Sequence, residues 1–126
     1  MDKVNGLPKQ ERLCSLHAQR RLFTEGVSGF VYPFRYNTYI EKSTPSTVEV
    51  LFSVPKRNHK RANRRNLLRR RTKEAYRLQK QLLWQSAEAQ GVAVDMALVY
   101  STKEVLSYKT IENAVRRILE EIAQRC

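Results

Sequence analysis

Residues 56–76 read KRNHKRANRRNLLRRRTKEAY. Between positions 56 and 73 the stretch holds ten Lys or Arg residues and no Asp or Glu. The chain of 126 residues has a formal net charge of +12, so this short stretch supplies most of the excess. Like charge at that density repels itself unless a polyanion neutralises it. Nucleic-acid phosphate is the natural candidate. The stretch also has helical order. Leu67, Leu68, Ala75, Leu78 and Leu82 fall within an arc of roughly 100°, the width of a core-facing stripe. Arg61, Arg65, Asn66, Arg69, Arg70, Lys73 and Arg77 cover much of the opposite surface. Arg64 and Arg71 fall inside the apolar arc, which calls for snorkelling at its edge or for a rotated helix. A helix face that is merely solvated mixes both signs of charge; this one does not. The spacing predicts a long helix from near Arg61 to about Trp84 or Ala89, with one face to pack and one free to meet phosphates.

That helix needs an apolar layer to pack on, and the flanking sequence offers strands. Pro55 ends a run, residues 47–54, in which Val48, Val50, Phe52 and Val54 alternate with Glu49, Leu51 and Ser53. Residues 29–40 read GFVYPFRYNTYI. From Phe34 onward they alternate too, with Phe34, Tyr36, Thr38 and Ile40 on one side and Arg35, Asn37 and Tyr39 on the other. Pro33 marks a strand start, an edge or a bulge. The turn chemistry of residues 41–46 suggests an antiparallel hairpin between the two runs. After the long helix, Gly91 is placed as a stop. Residues 91–100 (GVAVDMALVY) form a strand covered on at least one side. Ser107 or Thr110 caps a last helix with the stripe Ile111, Val115, Ile118, Leu119 and Ile122. Its polar face mixes Glu112, Arg116, Arg117, Glu120 and Glu121, the pattern of a scaffold helix. Near the start, Ser15 caps a short helix from Leu16 to Thr24 or Glu25 that Gly26 ends. Phe23 on it reads either as a core aromatic or as a stacking platform for a base. Residues 1–12 are expected to be a flexible arm, and residues 13–126 a single RNA-binding α+β domain. The order is helix, two or three strands, long helix, strand, helix, an α+β sandwich of three helices on a small mixed sheet.

Composition excludes several classes. About two fifths of the residues are hydrophobic, too many for a disordered basic tail. No apolar run approaches the roughly 20 residues of a spanning helix. The first residues carry no apolar signal core, so a cytoplasmic protein is expected. Cys14 and His17 have ligand-like spacing, but no second pair completes a zinc site, so Cys14 and Cys126 read as free thiols. No Walker loop, nucleotide-binding glycine motif or catalytic triad context is visible. The expectation is therefore of no catalytic residue and no protein-held metal.

The run Arg61-Ala62-x-x-Arg65-Asn66-x-x-Arg69-Arg70-x-x-Lys73-Glu74-Ala75-Tyr76 resembles the basic helix of the protein subunit of bacterial ribonuclease P. Phe52-Ser53-Val54-x-Lys56 is similar to the strand leading into that helix, and Leu22-Phe23-x-x-Gly26 to the end of the first helix. The likeness covers nearly the whole chain from about Arg12. It implies the fold shared with ribosomal protein S5 domain 2, with a left-handed βαβ crossover through the basic helix. It further implies that a large RNA is the catalyst, and that the protein binds this RNA and the 5′ leader of precursor tRNA. By position, Arg61, Arg65, Asn66, Arg69, Arg70 and Lys73 would contact the RNA subunit. Phe23, Tyr36, Tyr39 and Lys56 would line the leader-binding cleft. Mg²⁺ would be held mainly by the RNA, and no membrane or further protein partner is implied.

Two other classes share some of these features. A ribosome-associated or structured-RNA-binding protein with no enzymatic role has the same charge and α+β pattern. A DNA-binding basic helix running into a zipper would use Leu68, Ala75 and Leu82, spaced by seven, but further heptads are missing and strands flank the helix.

Overall fold

A computed structural model describes residues 15–126. The expected N-terminal arm and Cys14 lie outside the described residues. Ser15 does cap the first helix: its side chain accepts from the Ala18 amide, and α1, Leu16–Glu25, follows. Gly26 ends α1 with an ordinary φ of −76°. A Cβ there would run into the carbonyl oxygens of Leu22 and Thr38. The glycine is needed for close approach of helix end and strand, not for a left-handed turn.

Four strands and three more helices follow: β1 Val27–Val31, β2 Phe34–Lys42, β3 Thr47–Ser53, α2 Ala62–Gln79, α3 Gln81–Gln90, β4 Val92–Tyr100 and α4 Tyr108–Arg125. The sheet order is β1-β2-β4-β3. β1 and β2 form a hairpin through Tyr32 and Pro33, whose peptide bond is cis. β4 pairs antiparallel with β2 and parallel with β3.

The expected hairpin between β2 and β3 is therefore corrected. β4 lies between them, with Lys42 opposite Val92 and Thr47 opposite Ala93. Alternation in each run fixed its faces but not its partner. β4 buries Val92, Val94, Met96, Leu98 and Tyr100 on one side and Asp95 and Ala97 on the other, so it belongs in the centre. Residues 43–46 step across its start, a gap of about 10 Å at normal strand spacing. The Ser43 amide is tied to the Gly91 carbonyl on the way, at 3.0 Å.

The long helix is interrupted at Lys80, which caps α2 and opens α3. There are thus four helices where the sequence suggests three. The break lets each part bury its own side chains: Leu68, Thr72, Ala75 and Tyr76 from α2, Leu83 and Ala87 from α3. α2 is also turned relative to its apolar stripe. Leu78 is 57 % exposed, while Thr72 and Tyr76 point inward. Tyr76 meets Phe52 edge-on, and the Thr72 hydroxyl donates to the Leu68 carbonyl at 2.8 Å, so an inward polar group stays satisfied. Gly91, at φ 65°, ends α3 in the left-handed conformation. Ser107 caps α4 by accepting from the Thr110 amide.

One face of the sheet carries Phe34, Tyr36, Val48, Val50, Val94, Met96 and Leu98 into a core with α2, α3 and α4. The other face is partly covered by α1, whose Leu22 packs on Ala97 with Tyr39 and Leu51 alongside. No described helix is long and apolar enough to cross a membrane.

Candidate nucleic-acid interface

Among the described residues, the cations of residues 56–73 meet no carboxylate. Arg65 donates from Nη1 to the carbonyls of His59 and Lys60, at 2.9 and 2.7 Å. Arg69 donates to Asn66 Oδ1 at 3.1 Å, and Arg71 to the Leu106 carbonyl at 2.6 Å. Lys56, Arg57, Lys60, Arg61, Arg64, Arg70 and Lys73 have no partner among the described residues. The first turn of α2 has neither a capping side chain nor an acidic residue, so its positive end adds to the field. At 100° per residue, Arg65, Asn66, Arg69, Arg70 and Lys73 share about 140° of the helix circumference. The sixth expected residue, Arg61, is grouped instead with Asn63, Arg64 and Leu67. Arg77, also expected on the phosphate face, is bound to Glu74 at 2.6 Å, and that bond holds the Glu74 carboxyl below its ordinary value.

The expected cleft residues are divided by the sheet. Tyr36 is a correction: it faces the core at 1 % exposure, and its hydroxyl donates to Glu121 at 2.6 Å. Burial first, and then that bond, push its hydroxyl pKa up. The residue lies on the Phe34 side of the strand alternation, and that side packs on the helices. Tyr39 is on the other face, half-buried, with the Arg21 guanidinium 4.5 Å from its ring centre. One side of that ring is thus already used. Phe23 is 49 % exposed on α1, and Lys56 is exposed beyond the end of β3.

Arg21 organises this second face. It reaches Asp95 at 3.2 Å and Glu41 at 3.4 Å. Burial raises the Asp95 carboxyl despite the hydrogen bond from Arg21. Burial, and then the charge of Asp95, raise Glu49, which stands opposite Asp95 across the β3–β4 pair. Phe23 lies two residues from Arg21, about 200° around α1, so it flanks the helix on the side away from these carboxylates. Two residues not singled out for the cleft also belong to this face. Phe30, 58 % exposed, stands opposite the exposed Arg35 in the β1–β2 hairpin. The pairing is made across the Tyr32–Pro33 turn, and its sign in the sequence is the mixture of cations and aromatics around that turn. An aromatic beside a cation can hold a base and its phosphate.

Among the described residues no group of three or more His, Cys, Asp or Glu side chains is placed to hold a metal ion. The exposed guanidinium and ammonium groups of this surface have the charge and donors that phosphate oxygens accept.

Comparison with known proteins agrees with this architecture. The chain is 33 % identical over 120 residues to a protein of Porphyromonas gingivalis called Ribonuclease P protein component, covering 94 % of this chain and 87 % of that one. It is 32 % identical over 130 residues to a protein of the same name from Chlorobium phaeobacteroides, covering 94 % and 89 %. Among solved structures, the RNase P protein of Thermotoga maritima superposes with a TM-score of 0.67 at 22 % identity, over 88 % of this chain and 96 % of that one. The Staphylococcus aureus RNase P protein gives 0.64 at 17 %, over 90 % and 96 %, a likeness of fold. The family model described as Ribonuclease P matches residues 7–123, so the span that contains the sheet, its crossover helices and the Arg-Asn-x-x-Arg-Arg helix is a member of the ribonuclease P protein family.

Proposed function

We propose that the chain assists a catalytic RNA in the endonucleolytic removal of the 5′ leader from precursor tRNA, by binding both the RNA subunit and the leader. The observation that carries this reading is the set of seven cations in residues 56–73 that have no partner among the described residues: Lys56, Arg57, Lys60 and Arg61 lead into α2, and Arg64, Arg70 and Lys73 lie on it. Arg suits bidentate phosphate contact. Asn66, which both donates and accepts, adds orientation to attraction. Docking two polyanions, the RNA subunit and its substrate, on each other is opposed by their charge, and protein cations between them lower that repulsion.

Hydrolysis at the leader junction requires an activated water and neutralised phosphate oxygens, and Mg²⁺ supplies these when bound. On this reading the RNA is the catalyst, and the ion is assigned to it. The protein's part is to hold RNA in place. The leader is assigned to the α1-covered face of the sheet, between Phe23 and the cationic end near Arg35 and Lys56. Function in the cytoplasm, where tRNA matures in bacteria, accords with this reading.

The test is reconstitution with a bacterial ribonuclease P RNA at low Mg²⁺. Leader cleavage should require both RNA and protein, and the protein alone should cut nothing. Cleavage that is no better with the protein than without it would refute the assignment.

A further inference from the structure

Arg61 and Arg64 lie off the surface formed by Arg65, Asn66, Arg69, Arg70 and Lys73. With Asn63, Leu67 and Val105 they line a cavity of about 330 Å³ between the start of α2 and residues 101–107. Arg64, Leu67 and Arg71 follow one line along α2, on nearly the opposite side from the Arg65, Arg69 and Lys73 line. Both guanidinium groups in this cavity lack a partner among the described residues. Its floor is apolar: Leu67 is half-buried, and Val105 is 41 % exposed.

The wall that carries Val105 is fixed from several sides. His59 Nε2 is 2.7 Å from the Thr102 carbonyl, and Arg71 donates to the Leu106 carbonyl at 2.6 Å. The Tyr100 hydroxyl donates to the Glu104 carbonyl at 2.8 Å and accepts from the Leu106 amide at 3.1 Å. The Tyr32 hydroxyl donates to Glu104 Oε1 at 2.5 Å. These bonds hold both neighbours of Val105, so its outward aim is set by the fold. A valine held facing water in one cavity with two guanidinium groups that have no partner among the described residues suits an occupant that is anionic and flat-faced. A phosphate alone would satisfy the arginines and leave the apolar floor wet. A peptide of Asp and Glu alone would match the charge and leave the apolar floor uncovered. A nucleotide meets both demands, and Asn63 can donate to and accept from a base edge.

We propose that this cavity binds one unpaired nucleotide of RNA, with its base against Leu67 and Val105 and its phosphate on Arg61 and Arg64. The proposal rests on the reading that α2 docks on the RNA subunit, and it gives the helix a second RNA contact on its other flank.

Two exposed substitutions test it, Val105→Ser and Arg64→Ala, with the ribonuclease P RNA as probe and Arg70→Ala as a reference. Val105→Ser should weaken RNA affinity about fivefold with an unchanged salt slope, because it removes apolar contact and no charge. Arg64→Ala should weaken it about tenfold and flatten the slope by roughly 0.7 to 0.9 units. In 2′-hydroxyl acylation, one unpaired nucleotide protected by the wild-type chain should regain reactivity with both variants. Circular dichroism checks that each variant is folded. If Arg70→Ala weakens binding while Val105→Ser stays within twofold of wild type and no protection depends on Val105, the nucleotide proposal is overturned and the docking reading stands. If the wild-type chain does not bind the RNA, both are overturned together.

Discussion

Arg65 is expected to act differently from its neighbour Arg70, although both belong to one cationic surface. Arg65 Nη1 serves two backbone carbonyls, those of His59 and Lys60, at 2.9 and 2.7 Å. These carbonyls end the segment that leads from β3 into α2. Arg70 is exposed and has no partner among the described residues. A hydrogen bond to a charged group is worth about 1.5–3 kcal/mol. Here both bonds leave one nitrogen and the side chain is partly exposed, so about 1.5 kcal/mol for the pair is the better figure. Arg65→Ala should therefore lower the urea midpoint by roughly 1 M, whereas Arg70→Ala should stay within about 0.5 kcal/mol of wild type.

Salt titration of RNA-subunit affinity separates the two roles further. Losing a free phosphate contact flattens the log–log slope by roughly 0.7 to 0.9 units, the expectation for Arg70→Ala. Arg65→Ala should lower affinity with a smaller change of slope, because much of its effect comes from loosening residues 55–60. Unchanged stability together with a full-unit change in slope would refute this, and would make Arg65 an ordinary phosphate contact.

Tyr36→Phe removes the hydroxyl bonded to Glu121 while keeping the ring, so it should destabilise the fold by about 1 kcal/mol and leave leader binding unchanged; selective loss of leader affinity would return Tyr36 to the cleft. Phe23→Ala trims a half-exposed ring, so it should weaken leader-containing precursor several-fold more than mature tRNA with little change in melting temperature; equal losses on both RNAs would count against the cleft. Glu49 has a folded-state pKa raised above its ordinary 4.5, first by burial and then by Asp95. Its contribution to stability is complete below the unfolded value and is lost as pH rises through the folded value. Glu49→Gln should thus gain stability relative to wild type on going from acid to neutral pH; a difference that does not vary with pH would contradict the placement.

Sequence legibility divided along a physical line. Periodicity located the runs of β2, β3 and β4 and the α4 stripe, and cap chemistry marked Ser15 and, with Thr110 as the alternative, Ser107, because those signals are local; β1 has no such alternation and was not separated from the run that follows it. Periodicity also separated Tyr36 from Tyr39 by strand face. It could not say which face packs on three helices, so an exposed position was expected for a tyrosine that lies in the core. Partner choice was lost as well, since β2 and β3 alternate as a hairpin would and only the two-sided burial of β4 separates them. For α2 the apolar residues alone mislead. Thr72 turns inward because it can satisfy its hydroxyl within its own helix, and Leu78 is left outside. The cationic motif was legible as a motif, but the division of labour within it was not. Arg65 spends donors on carbonyls of the segment just before α2, and Arg71 on a carbonyl of the loop before α4, and nothing in their spacing announces that.

The sheet order explains why the loops of interest meet. β3 and β4 are adjacent and parallel, with Ser53 opposite Val99, so residues 54–61 and 101–107 leave the sheet at the same end. The β1–β2 turn is there too, since Phe34 stands opposite Tyr100. An adjacent β2–β3 hairpin would not have required this crossover. His59 joins two of these loops through Thr102 while its ring packs edge-on against Tyr100 at 5.7 Å. His59→Phe keeps a ring there and deletes the bond. If convergence of the loops builds the RNA surface, this substitution should raise amide exchange across residues 101–107 and weaken RNA-subunit binding, though His59 itself is buried. Faster exchange with undiminished affinity would show that the loops can loosen independently of the interface, and that α2 alone carries the docking.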